Sequence, residues 1–174
     1  PFDQPDFNIN KDHTNEVLAR YESDGHLPEV IETDDEALRA LLGNARPPHY
    51  VAVLAYIEPS TRLDDAVSEL REAIRERTKC AVTFGYGPRF QHSTGQLHKG
   101  GPPAGVFLQL VHDGAEDLAI PGAQYTFGVL EHAAATGDLY ALREHDVPAE
   151  RVRLEGDPLQ ALRGLTARLT ALLG

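Results

Sequence analysis

The chain has 174 residues, of which 41% are hydrophobic, and it carries a formal net charge of −11. This length and apolar content suffice for one ordinary hydrophobic core. The acidic charge argues against general binding to nucleic acid or to anionic membrane surfaces. The single cysteine, Cys80, excludes an internal disulfide framework, and its place in the apolar run CAVTF predicts a buried structural thiol.

Targeting signals are not evident in the sequence. No apolar run approaches the length of a membrane span and no signal-peptide pattern opens the chain, so we expect a cytoplasmic protein without a membrane partner. The chain begins at Pro1 and contains no methionine, from which we expect it to be part of a longer polypeptide. Composition leaves open whether it forms homo-oligomers.

The first quarter of the chain predicts helices. Residues 6–22 have helical apolar spacing and are followed by Gly25 and Pro28, which end the helix. A second, short helix is predicted from residue 34 to residue 42, because acidic residues in a first turn suit the helix dipole. Residues 43–48 predict a linker. We therefore expect an N-terminal helical segment, residues 1–45, and a following domain, residues 46–174.

Strands and helices alternate in this second part. Short apolar runs predict strands over residues 50–57, 80–84, 106–111 and 151–154. Amphipathic patterns predict helices over residues 62–77, over 126–142 with an interruption at Gly137 and Asp138, and from Pro158 to the C-terminus. Residues 118–120 predict a short extended piece. This order indicates an α/β fold, a three-layer αβα sandwich with a mostly parallel sheet of the flavodoxin-like kind, preceded by the helical segment.

Residues 85–105, GYGPRFQHSTGQLHKGGPPAG, are the most unusual stretch and are called the basic segment below. They lie inside a run of 36 residues, from Arg77 to His112, that contains no Asp or Glu although the whole chain has 27. The segment follows the second predicted strand, and ligands of parallel sheets bind at the carboxyl ends of strands. Glycine-rich, basic, hydroxyl-bearing loops often receive anions. We expect it to bind phosphate through Arg89, His92, Ser93, Thr94, Gln96, His98 and Lys99.

Other interpretations of the basic segment are possible in principle. It matches neither a Walker loop nor a dinucleotide fingerprint, and it could be a long loop whose glycines only form turns. His92 and His98 could bind a metal, but no carboxylate lies near them in sequence. Ser93 could act as a nucleophile with His92 as its base, although the usual GxSxG turn is absent. We expect neither a metal nor a cofactor.

The N-terminal sequence PFDQPDFNINK resembles the segment of phosphoglucose isomerases that contains Phe-Asp-Gln and a lysine seven residues after the Gln. Those residues here are Phe2, Asp3, Gln4 and Lys11. The resemblance implies that Gln4 and Lys11 reach an isomerase active site, where the lysine contacts substrate oxygens. Without the resemblance, Lys11 would be interpreted as a solvated residue on a helix surface.

The basic segment, together with IPGAQYTFGVLEHAAATGDLYAL downstream, is similar to the terminal region of bifunctional transaldolase/glucose-6-phosphate isomerases. The resemblance implies a sugar-isomerase (SIS-type) fold, a sugar phosphate as ligand, and upstream isomerase and transaldolase domains as partners. It also implies that the catalytic base lies upstream, so that this chain is the end of a glucose-6-phosphate isomerase, inactive alone. The alternative is a non-catalytic module that binds a sugar phosphate or serves in assembly.

Overall fold

The computed structural model describes residues 5–114 and 116–174, without the side chains of residues 5–7 and Ser93. A four-stranded, all-parallel sheet is flanked by helices on both faces, which confirms the predicted three-layer α/β sandwich. The elements are α1 (Pro5–Asp24), α2 (Asp35–Gly43), β1 (Tyr50–Tyr56), α3 (Thr61–Thr78), β2 (Ala81–Tyr86), a 3₁₀ turn (Arg89–Gln91), α4 (Ser93–Gly100), β3 (Gly105–His112), α5 (Phe127–Glu144), β4 (Ala149–Leu154) and α6 (Pro158–Leu172).

The strands lie in the order β2-β1-β3-β4. Tyr50 of β1 is in register with Ala81 of β2 and with Gly105 of β3, whereas β4 begins opposite Phe107. The chain therefore moves outward from β1 to β2, then crosses back over β1 to form β3. The carboxyl ends of β1 and β3 lie at the point where the strand order changes direction, the usual place for a ligand in such sheets.

Two hydrophobic clusters pack against the two faces of the sheet. One contains alternate strand residues such as Val53 and Leu108 together with the apolar faces of α3 and α6. The other contains Leu54 and Phe107 together with α5 and the buried Phe90 of the 3₁₀ turn. The sequence predicted all four strands. The central strands β1 and β3 are buried on both faces, which is why their sequences are continuously apolar.

Helix starts follow the capping chemistry of the sequence. Asp157 Oδ1 accepts a hydrogen bond from the Gln160 amide at 2.9 Å, and Pro158 occupies the first turn of α6. Asp34 caps α2 in the same way, through the Ala37 amide at 2.8 Å. Gly25, which follows α1, has a φ of +77°, a conformation that glycine adopts readily. Cys80 is buried, as predicted.

Two predictions about secondary structure were wrong. The basic segment is not a loop: it contains the 3₁₀ turn and the eight-residue α4, which crosses from the end of β2 to the start of β3. Helix α5 is continuous through Gly137 and Asp138, because both residues are buried where α1 packs against α5. Glycine here serves close packing of two helices and does not break the helix.

The N-terminal helices lie directly on the sandwich. Val17 and Leu18 of α1 are buried with Ala133 of α5 in a third, smaller cluster. Residues 27–34 connect α1 to α2 and run beside the edge strand β4, where the Thr33 amide donates to the Arg151 carbonyl at 3.3 Å. The predicted division at residue 46 stays a prediction. In the part of the chain that the structure describes, no helix is long and apolar enough to cross a membrane.

Candidate functional site

A crevice of about 730 Å³ opens at the carboxyl ends of the strands. Glu58 follows β1, Arg89 follows β2 in the 3₁₀ turn, and His112 ends β3. Glu131 reaches the same crevice from the first turns of α5, and Glu116 also lines it. The crevice therefore lies at the change in strand order, where the topology of the fold predicts a ligand.

The charges around this crevice are mixed. Partial burial and the neighbouring Glu58 carboxylate raise the pKa of the Glu131 carboxyl above its usual value. His112 Nε2 donates to the Gly156 carbonyl at 2.8 Å, which assigns the ring proton to that nitrogen. The lining carries three glutamates and one arginine, so its carboxylates can accept hydrogen bonds from hydroxyl groups, and Arg89 can donate to an anionic group.

Of the predicted phosphate ligands, Arg89 lines this crevice. Its side chain is exposed. His92, which precedes α4, and Thr94, in its first turn, are exposed and do not line the crevice. Ser93 begins α4, but its side chain lies outside the described part of the chain. The predicted phosphate ligands, including Gln96, are thus spread along a crossover helix instead of around one loop.

His98 and Lys99 point to the interior. His98 is 6% exposed and its ring stacks on Tyr50 and packs edge-on against Phe107. Burial, reinforced by the Lys99 charge, lowers the pKa of His98 to about 4, so the ring is neutral at pH 7. Lys99 Nζ lies 2.6 Å from Asp138 Oδ1, and both side chains are buried. Asp138 therefore balances the positive charge of Lys99, which was predicted to bind a phosphate.

Asp138 also holds the N-terminal helix. Asn10 of α1 is 3% exposed, and its Nδ2 donates to Asp138 Oδ1 at 3.3 Å. One turn later, Thr14 lies so close to Gly137 that a Cβ at Gly137 would be 2.8 Å from the Thr14 backbone nitrogen. Helix α1 is therefore fixed on α5 by a buried polar triad of Asn10, Lys99 and Asp138.

Lys11 directly follows this anchor and is exposed. Successive residues of a helix point about 100° apart, so a side chain next to a buried one can face outward. The other predicted catalytic residue, Gln4, lies outside the described residues. Among the described residues no group of three or more His, Cys, Asp or Glu side chains has the arrangement of a metal site.

Comparisons with known proteins give a fold and no function. No protein-family model matches the chain, and no curated protein matches it. The crystal structure of hypothetical protein TT0462 from Thermus thermophilus is similar, with a TM-score of 0.66 at 20% sequence identity. The match covers 98% of this chain but 44% of that one, so the chain spans less than half of its structural relative. At this identity the likeness shows the fold alone.

Sequence reasoning missed several polar residues that the fold buries. It interpreted Asp138 as part of a helix interruption, whereas this side chain is buried and pairs with Lys99. It placed Arg151 only as part of a strand, yet this side chain is 4% exposed. Glu58 and Glu131 come from distant parts of the chain, and only the sheet topology brings them to one crevice.

Proposed function

We propose that the chain is the C-terminal part of a glucose-6-phosphate isomerase, of the kind fused to transaldolase, and that it supplies Lys11 to the substrate. The resemblance of residues 1–11 and of the basic segment suggests the reaction. The observation that carries the proposal is the position of Lys11, exposed and immediately after the buried Asn10.

The buried contact of Asn10 holds the backbone of α1 on α5, so the base of the exposed Lys11 side chain has a defined position. A cation stabilises a transition state only if it is held where negative charge develops. Isomerisation between glucose 6-phosphate and fructose 6-phosphate moves a proton between C1 and C2 and passes negative charge to the substrate oxygens. The base for that transfer would come from the upstream domain, while the docked α1 would hold the Lys11 ammonium near those oxygens.

Reconstitution tests this proposal. The upstream isomerase domain alone, this chain alone, and the two combined are each assayed for conversion of fructose 6-phosphate to glucose 6-phosphate. We expect turnover in the combination and little in either part. Equal activity of the upstream domain with and without this chain would contradict the proposal.

A second candidate function, binding of a sugar phosphate without turnover, is supported by the crevice with Arg89. Titration calorimetry of the isolated chain with fructose 6-phosphate tests it. Arg89→Gln should then weaken binding by about tenfold or more, because it removes a charge-assisted hydrogen bond. Arg163→Gln, which removes an exposed arginine of α6, is the matched control and should not affect binding. No binding by the native chain would favour a role in assembly.

A further inference from the structure

Arg151 is a buried cation whose hydrogen bonding is incomplete. Its side chain lies between the sheet and α5 and is 4% exposed. Nε donates to Gln109 Oε1 at 2.7 Å, and Nη1 donates to Thr136 Oγ1 at 3.2 Å. Nη2 is buried and has no hydrogen-bond partner among the described residues. A buried guanidinium normally has a carboxylate partner, since burying an unpaired charge is expensive.

The cations around Arg151 add positive charge instead of balancing it. Burial, with a smaller contribution from the nearby Arg153 and Arg143, lowers the pKa of the Arg151 guanidinium to about 10. The group is still cationic at neutral pH. Within the described part of the chain, no carboxylate forms an ion pair with it.

A cavity of about 300 Å³ lies beside this guanidinium. Arg151, Arg153, Thr136 and His132 form one side of it, and residues 27–31 form the other. Those residues are held in place through Thr33, whose Oγ1 accepts from the Arg151 amide at 3.2 Å. The cavity is at the lower end of the range for small-molecule sites.

Two acidic residues near the cavity, Asp113 and Glu32, form ion pairs with Arg153 and not with Arg151. Asp113 accepts from Arg153 Nη1 and is paired with His132 Nε2, each at 2.7 Å, and Glu32 accepts from Arg153 Nε at 3.1 Å. The side chains of Asp113 and Glu32 are 67% and 56% exposed. Glu29 also lines the cavity. None of these carboxylates pairs with Arg151.

We propose that this cavity binds the phosphate or carboxylate group of a small anionic ligand, with Arg151 as the inner cation. Arg153 lies on the same side of β4, two residues later, and lines the mouth, where Asp113 and Glu32 already balance its charge. The Thr136 hydroxyl accepts from Arg151 and can donate its own proton to the anion. This site is separate from the crevice at the strand ends and does not depend on the isomerase proposal.

The probes are inorganic phosphate and acetate. Each is titrated into the chain at a constant ionic strength that is set with chloride. The Arg151 Nε–H resonance and the heat of binding are followed. We expect saturable binding of at least one of the two anions that shifts this resonance. The probe that saturates distinguishes a phosphate site from a carboxylate site.

Substitutions locate the site. Arg151→Met should weaken anion binding by about tenfold or more, the loss expected when a charge-assisted hydrogen bond is removed. Arg153→Gln and Thr136→Val should weaken it less, and they provide the test if the Arg151 variant does not fold. The surface variant Arg168→Gln should bind as the native chain does. The proposal is overturned if neither anion saturates, or if binding survives unchanged in all three cavity variants.

Discussion

Lys99 Nζ and Asp138 Oδ1 lie 2.6 Å apart in the interior, where α4 meets α5. Asn10 of α1 donates to the same carboxylate oxygen. Lys99 of the basic segment thus takes part in a polar contact that joins helices α1, α4 and α5. The ion pair fixes the orientation of α1 and with it the position of Lys11.

Asp138→Asn should strongly destabilise the fold, because it leaves the Lys99 ammonium buried without a counter-charge. Removing one partner of a buried ion pair typically lowers the free energy of unfolding by about 3–5 kcal/mol. Denaturant unfolding followed by circular dichroism measures the loss. The surface pair of Arg168 and Asp35 is the matched control, and Asp35→Asn should lower the free energy of unfolding by about 1 kcal/mol or less.

Replacing both partners of the buried pair should be milder than replacing one. In Lys99→Met with Asp138→Leu no charge is left at this contact, so this double variant should be more stable than Asp138→Asn. A double variant that is less stable than the single one would show that the ion pair does not dominate the energetics of this contact.

Gly137→Ala should destabilise the contact of α1 with α5. The new methyl group would lie 2.8 Å from the Thr14 backbone nitrogen and 3.1 Å from the Asn10 carbonyl oxygen, and neither backbone atom can move alone. Overpacking of this kind typically lowers stability by about 1–3 kcal/mol. Gly164→Ala in α6 is the control: nothing lies within 4 Å of its Cβ position, so the better helix former should raise stability by about 0.5–1 kcal/mol. Equal melting temperatures for the two variants would contradict the tight contact.

Acid should destabilise the protein through His98. Burial lowers the pKa of His98 to about 4 in the folded state, against 6.5 ordinarily. Between these values the unfolded chain binds more protons, so stability falls as the pH drops from about 6.5 to about 4. The contribution of one such proton approaches about 1.4 kcal/mol per pH unit. His98→Leu should flatten the pH dependence of the free energy of unfolding in this range. An unchanged slope in this variant would show that His98 does not cause the pH dependence and would contradict the prediction.

The architecture was largely predictable from the sequence, because buried strands and capped helices are local signals. The apolar run at residues 50–57 and the Asp157-Pro158 start of α6 needed no knowledge of the rest of the chain. The basic segment was harder. Its glycines and polar residues favour a loop by composition, but the chain must cross from β2 to β3, and packing of Phe90, His98 and Lys99 on the sheet and α5 makes part of the segment helical.

The candidate sites were less predictable than the fold. A charge pattern shows that cations are present but not which of them are paired. Lys99 is paired with an acid 39 residues later, whereas Arg151 has neutral partners at Gln109 and Thr136. Both sets of partners depend on which side chains the sheet and α5 bring together, and this cannot be predicted from the spacing of residues in the sequence.

The turnover of Lys11→Ala tests the proposed function most directly. In a polypeptide that joins this chain to the upstream isomerase domain, the substitution should lower kcat for fructose 6-phosphate by about 10²–10³, as expected for loss of a group that stabilises developing charge. It should leave the melting temperature unchanged, since Lys11 is exposed. Arg20→Ala, an exposed cation on the same helix, is the control and should retain full kcat. A Lys11→Ala enzyme with native kcat would contradict the proposed role of this chain in isomerisation.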